Sequence, residues 1–246
     1  MVEYNYDSFV EFYRDKYASL VRQFRERPRV GEPAPLFEAY TLDGYMVRLS
    51  DLMGRRHVVL EFGCITCPPF ILSIKHGQHS FSELWRRYSS LGFEFFIVYT
   101  NEAHPGEEVR PLRSYEEKLE HAQMLRDDEH VEIPILVDGL SGQLHLSYGG
   151  LPNSCFVIDK NGMLIYKSQW ADMDELEKVL NTVIRYEEAL MEGGRIIEFN
   201  YSEKLVYRDL EMRLDYETVR RVRREVLERA GRKAVDELER SLNYKS

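Results

Sequence analysis

His57-Val58-Val59-Leu60-Glu61-Phe62-Gly63-Cys64-Ile65-Thr66-Cys67-Pro68-Pro69-Phe70 is the stretch on which the fold turns. Its first six residues form a short, β-rich apolar run, the pattern of a buried strand. A glycine and a Cys-x-x-Cys follow, and the prolines open helical sequence that continues to about Ser90. The cysteines therefore lie at a strand-to-helix turn. Cys67 falls at or beside the helix N-cap, where unpaired N–H groups and the helix dipole favour an anion. An ordinary thiol of pKa near 8.5 is only about 3% ionised at pH 7, and a drop of two units, about 2.7 kcal/mol, would make Cys67 mostly thiolate.

Outward from this turn, strands and helices alternate. Phe93 to Thr100 reads as a second strand, Tyr115 to Arg126 as a helix and Ile133 to Val137 as a third strand. Cys155 to Ile158 and Met163 to Lys167 flank Asp159-Lys160-Asn161-Gly162 as a hairpin, and Asp172 to Met191 closes with a helix. A βαβ half is thus followed by a ββα half. Upstream, Tyr6, Phe9, Val10, Tyr13, Tyr17, Leu20, Val21 and Phe24 recur every three or four residues, predicting an amphipathic helix that ends before Pro28. A Pro-rich entry from Val30 and a hairpin around Asp43-Gly44 come next. After Gly193-Gly194 the chain becomes charged and helical, with Val219, Val222, Val226, Leu238 and Leu242 on one stripe, docked on the chain or exchanged between the subunits of a homodimer. The expected division is an N-terminal helix over 1–28, a central domain over 29–192 and a helical extension over 193–246.

Composition narrows the function. Of 246 residues, 43% are hydrophobic and 30% charged, a globular balance. Lys plus Arg is 33 and Asp plus Glu 42, giving a net charge of −9 and no general attraction to nucleic acid. No apolar run approaches the roughly 20 residues that span a bilayer, and no signal-peptide pattern opens the chain, so a soluble, cytoplasmic protein without membrane contact is expected. Three cysteines are not a secreted disulfide framework.

Cys64-Ile65-Thr66-Cys67 reads as a redox pair or half of a zinc site, but no second Cys-x-x-Cys exists and His76-x-x-His79 reads as solvated, so no metal is expected. Cys155, within Cys-Phe-Val-Ile, is a core residue or a resolving thiol. His104 follows the strand predicted beside the one that carries Cys67, at the carboxyl edge where open α/β sheets place their sites, and Glu102 could orient it. His121 and His130 fall in charged stretches and read as surface residues.

Val-Gly-Glu-Pro-Ala-Pro-x-Phe from Val30, followed by Asp43-Gly44, a strand and a helix-opening cysteine, resembles the thioredoxin-like redoxins, peroxiredoxins included. Phe62 to Phe70, Glu102-Ala103-His104-Pro105 and Leu151-Pro152 ahead of Phe156-Val157-Ile158 and a hairpin to Tyr166-Lys167 are similar to the iodothyronine deiodinases, from about Val30 to Leu180. The resemblance implies a thioredoxin-like, peroxiredoxin-type α/β fold: a mixed central sheet flanked by helices, here with extra helices at both ends. It places Cys67 at the catalytic selenocysteine position, Thr66 beside it, Glu102 and His104 as the active-site Glu and His, and Pro152 and Phe70 as substrate contacts. The chain departs from the family in having Ile65 where the family has a cysteine and Cys64 one position earlier, and in lacking a histidine between Pro105 and Glu120. Phe70 stands where thioredoxins carry their second thiol, so a standard thioredoxin disulfide is excluded.

Together these readings indicate a thiol-dependent oxidoreductase whose Cys67 thiolate attacks a halogen, a peroxide oxygen or a disulfide sulfur. The oxidised cysteine is then resolved by Cys64, by Cys155 or by an external thiol reductant such as thioredoxin or glutathione, with no other cofactor. The alternative is a non-catalytic redoxin-fold module that binds partner proteins through its terminal helices.

Overall fold

The structure, a computed structural model, describes residues 4–76, 79–193 and 215–243. An N-terminal helical segment comprises α1 (Phe9–Phe12), a π-helical stretch (Tyr13–Tyr17) and α2 (Ala18–Glu26). Then come β1 (Glu38–Thr41), β2 (Met46–Arg48), the single turn α3 (Leu49–Leu52), β3 (His57–Gly63), α4 (Pro68–Lys75), α5 (Phe81–Tyr88) and β4 (Phe93–Tyr99). The remaining elements are α6 (Tyr115–Asp128), β5 (Ile135–Val137), α7 (Gln143–Ser147), β6 (Ser154–Ile158), β7 (Leu164–Gln169), α8 (Met173–Met191), α9 (Tyr216–Ala230) and α10 (Arg232–Asn243).

One seven-stranded mixed sheet runs β2-β1-β5-β4-β3-β6-β7, with β3, β4 and β5 parallel and the other pairings antiparallel. Successive side chains in a strand point to opposite faces, and the sheet obeys this strictly. Val58, Leu60 and Phe62 enter a core with Phe24, Leu136, Tyr148 and Phe156, whereas Val59 enters the opposite core with Phe95, Ile97, Cys155 and Leu176. The N-terminal helices therefore cover one face, and α4, α5, α6, α8 and α9 cover the other. Because β3, β4 and β5 are parallel, the loops that follow all three leave the same edge of the sheet.

Several sequence expectations are modified. The helix predicted from Pro68 to about Ser90 is two helices: α4 ends at Lys75, and the Ser80 hydroxyl accepts the Glu83 N–H to start α5. α7 was not anticipated; Asp138 carboxylate oxygens accept the N–H groups of Leu144 and His145 at 3.1 and 2.9 Å and hold its start. The C-terminal stripe divides at Gly231 into α9 and α10 and is covered within the chain, Val222 and Val226 being buried and Val219 and Leu238 partly so. The side chain of Leu242 and residues 194–214, where the expected extension begins, lie outside the described residues. Among the described residues no helix is long and apolar enough to cross a membrane.

Candidate active site around Cys67

β3 ends at Gly63, and Cys64 to Cys67 form a β-turn closed by the Cys67 N–H donating to the Cys64 carbonyl at 3.2 Å. Such a turn brings its end Cα atoms within about 7 Å, inside disulfide range. Cys67 is the N-cap of α4, with extended backbone angles of φ −104° and ψ 100° and a Pro in the first turn of the helix. Phe70 packs its ring over Gly63, where a Cβ would come within 2.2 Å of the ring carbons, so only glycine fits there. Phe70 is therefore a buried packing residue.

The same packing overturns the expected thiolate. Cys67 is 2% exposed, and burial pushes its thiol up to about 12. The nearby Phe70 backbone N–H opposes this, but the charges of Glu61 and Glu102 add to it. Burial outweighs a single helix end when the nearby side-chain charges are carboxylates. Cys64 and Cys155 are also free and buried, and burial raises both thiols.

A hydrogen-bonded network joins this turn to the loop after β4. The Thr66 hydroxyl donates to Glu102 Oε2 at 2.7 Å and accepts the His104 N–H at 3.2 Å. The Ala103 N–H donates to Cys64 Sγ at 3.1 Å. Glu102 Oε1 receives the Tyr99 hydroxyl at 2.6 Å and His121 Nδ1 at 3.0 Å. Cys64, Thr66, Glu102 and His104 thus form one unit with the Cys67 turn. Burial, aided by the charge of Arg223, lowers the His104 imidazole to about 3, so it is neutral at physiological pH, and its Nδ1 is buried without a hydrogen-bond partner.

Cys155 lies in β6, opposite Glu61 of β3, in the same buried core as Cys64 and Cys67. Pro152 lies half-buried in the turn before β6, and no hydrogen bond ties it to the cysteine turn among the described residues. His79 pairs with Glu177 at 2.7 Å, away from the cysteines.

His121, read from sequence as a surface residue, is buried within this site. Its signal was present: Lys118, His121, Ala122 and Leu125 recur at helical spacing behind the Ser114–Glu117 capping box and form the buried face of α6. Glu61, also overlooked, is a lone acid at an inward position of an apolar strand; it is fully buried and accepts a hydrogen bond from Ser73 of α4. Lys118 is fully buried too; burial lowers its amine to about 8, while the charges of Asp138, Glu102 and Cys64 resist the shift.

Both ends of the described chain cover the site. The Tyr6 hydroxyl donates to the Ala103 carbonyl at 3.2 Å, and the Phe9 ring lies against the His104 ring with centroids 4.0 Å apart. The Phe9 N–H donates to Glu237 Oε2 of α10 at 3.0 Å, and Lys233 Nζ donates to the Asp7 carbonyl at 2.7 Å.

The profile of the iodothyronine deiodinase family matches residues 7–184. The chain is 30% identical over 149 residues to the type I iodothyronine deiodinase of Xenopus laevis, covering 57% of this chain and 56% of the relative. It is 24% identical over 185 residues to the thyroxine 5-deiodinase of Gallus gallus, covering 71% of this chain and 69% of that protein. Against these two relatives the chain thus spans 56% and 69% of their length. A Chlorobium tepidum structure described as a thiol:disulfide interchange protein DsbE superposes with a TM-score of 0.50 at 23% identity, over 63% of this chain and 98% of that one, and supports the thioredoxin-like fold. The thiol at the head of α4, with the Glu-Ala-His segment hydrogen-bonded to its turn, lies inside the matched region, and the chain belongs to the iodothyronine deiodinase family.

Proposed function

We propose that this chain is a thiol-dependent oxidoreductase in which Cys67 attacks a soft electrophile: the halogen of an iodothyronine-like aromatic, a peroxide oxygen or a disulfide sulfur. The observation that carries the reading is the Thr66 hydroxyl, which bonds Glu102 and the His104 backbone at once and so fixes the Glu-Ala-His segment against the cysteine turn. In the closed state the thiol holds its proton and His104 is neutral. Opening the site to water removes the desolvation that keeps both groups uncharged, and His104 can then accept the thiol proton.

With an aryl halide, Cys67 Sγ bonds to the halogen while the carbon–halogen bond breaks and its electron pair stays on carbon, which takes the proton from His104. A second thiol attacks Sγ, a disulfide forms and halide leaves. With a peroxide, the O–O bond breaks instead and Cys67 becomes a sulfenic acid that a second thiol condenses into a disulfide. Cys64 is the intramolecular candidate by virtue of the turn, and an external thiol such as thioredoxin or glutathione restores the reduced enzyme.

The test incubates the reduced protein separately with an iodothyronine, hydrogen peroxide and a model disulfide, and maps oxidation by mass. Oxidation at Cys67 by at least one of them, with turnover under added thiol that is lost in Cys67→Ser, is the expected result. No oxidation at Cys67 by any of the three, with full partner binding retained in Cys67→Ser, would leave the fold serving as a binding module.

A further inference from the structure

The Tyr4 side chain fills a pocket that other parts of the chain hold in shape. The pocket lies among the loops after β4 and β5, which leave the same sheet edge as the Cys67 turn. Asp138 Oδ2 accepts the His145 backbone N–H at 2.9 Å, and the His145 ring stacks on Phe62 with centroids 5.5 Å apart. The His145 Nε2 stands 3.0 Å from the Leu151 carbonyl. A carbonyl only accepts, so Nε2 carries the proton and Nδ1 is left as an acceptor. Burial lowers this imidazole to about 4, which keeps it neutral at physiological pH. The Tyr4 hydroxyl donates to that Nδ1 at 2.9 Å and accepts the Asn101 N–H at 3.2 Å. Both capacities of a phenolic hydroxyl are thus met.

Two further features suit an aromatic ring. Lys118 Nζ, which donates to the Gly139 carbonyl at 3.3 Å, stands 5.5 Å from the Tyr4 ring centroid, within cation–π range. Gly142 leaves room for the ring: a Cβ there would come within 2.1 Å of Tyr4 Cζ. Asn101, Lys118, Asp138 and His145 are all buried, so an occupant without a hydroxyl would leave His145 Nδ1 and the Asn101 N–H to find other partners, at a cost. Tyr4 also begins the cover of the cysteine site. Asn101 Nδ2 donates to the Tyr4 carbonyl at 3.1 Å, the Tyr6 hydroxyl bonds Ala103, and Phe9 lies on His104. Whatever occupies the pocket therefore bears on whether residues 4–9 stay in place.

We propose that this pocket is a binding site for a small uncharged phenol, which takes the place of Tyr4, releases the cover and so acts as an effector from a position separate from Cys67. The probes are p-cresol, which has the ring and hydroxyl of a tyrosine side chain, and toluene, which has the same shape without the hydroxyl. Calorimetry on the full chain carrying Tyr4→Ala, its folding checked by circular dichroism, should show p-cresol binding at least about tenfold tighter than to the parent and than toluene to the same variant. In the parent, saturating p-cresol should speed alkylation of Cys67 by iodoacetamide about threefold or more, and toluene should not. Tyr4→Phe, which keeps the ring but not its hydroxyl, should need less p-cresol for the same acceleration. Equal binding of p-cresol and toluene to Tyr4→Ala, or binding of neither, overturns the site. If Tyr4→Ala does not fold, an alkylation rate that p-cresol leaves unmoved in both the parent and Tyr4→Phe overturns it instead. Selective p-cresol binding with an unmoved rate in the parent overturns the effector role. Neither measurement needs turnover, so this inference and the redox reading fail separately.

Discussion

Glu61 of β3 and Cys155 of β6 stand opposite one another in the sheet, beneath the helix that Cys67 begins, and the Glu61 charge bears on both thiols. Glu61→Gln should therefore lower the pH of half-maximal Cys67 alkylation by about one unit, while an amide oxygen still accepts the Ser73 hydrogen bond. A pH–rate profile with iodoacetamide measures it, and an unmoved midpoint would show that this carboxylate does not set the thiol.

His104→Gln should cut turnover by roughly 10²-fold, the usual worth of a positioned proton-transfer group. The backbone N–H that bonds Thr66 survives the substitution, so folding should be unaffected. Circular dichroism and kcat/KM on the same preparation separate the two effects.

Acid should destabilise the chain well above the ordinary carboxylate range. Burial lowers His104 to about 3 and His145 to about 4, whereas in the unfolded chain both titrate near 6.5. At pH 5 the unfolded state binds protons that the folded state does not, so stability falls as pH drops through 6.5 towards 4, by up to about 1.4 kcal/mol per pH unit for each histidine. Urea midpoints between pH 7 and 5 should show this slope, reduced by about half of that two-histidine share in His145→Gln.

Phe9→Ala removes the ring lying on His104. Ring pairs of this kind contribute about 0.5–1.5 kcal/mol, so alkylation of Cys67 should speed up several-fold with only a small fall in Tm. Equal alkylation rates would mean that the entry route runs elsewhere.

Deleting residues 216–246 should lower Tm by several degrees, because Val222, Val226 and Leu227 are buried against the face that holds α4, each worth about 1.5–3 kcal/mol. A truncated chain with an unchanged Tm would show that α9 contributes nothing to that core.

The sheet was legible because short β-rich apolar runs and turn residues mark it locally: His57 to Phe62, Asp43-Gly44 and the Asp159 to Gly162 turn all fall where the sequence puts them. The Cys67 turn was legible for the same reason, since a Cys-x-x-Cys-Pro junction is a local signal. The state of the thiol was not, because it depends on how deeply α4 and α9 sink Cys67, a tertiary quantity that a helix-end argument omits. His121 escaped because the charges flanking it masked a buried stripe with a lysine and a histidine in it.

Tyr4 to Phe9 and α10 meet over His104, so whatever is attached near either one is mechanically coupled to the Cys67 turn. An affinity tag, a fusion partner or an immobilising linker placed there would strain the same few hydrogen bonds that hold the cover shut. Reactivity measured on tagged and untagged protein would then differ for reasons unrelated to the chemistry, and an internal attachment point, such as the exposed Tyr45 on the β1–β2 turn at the far edge of the sheet, is the neutral choice.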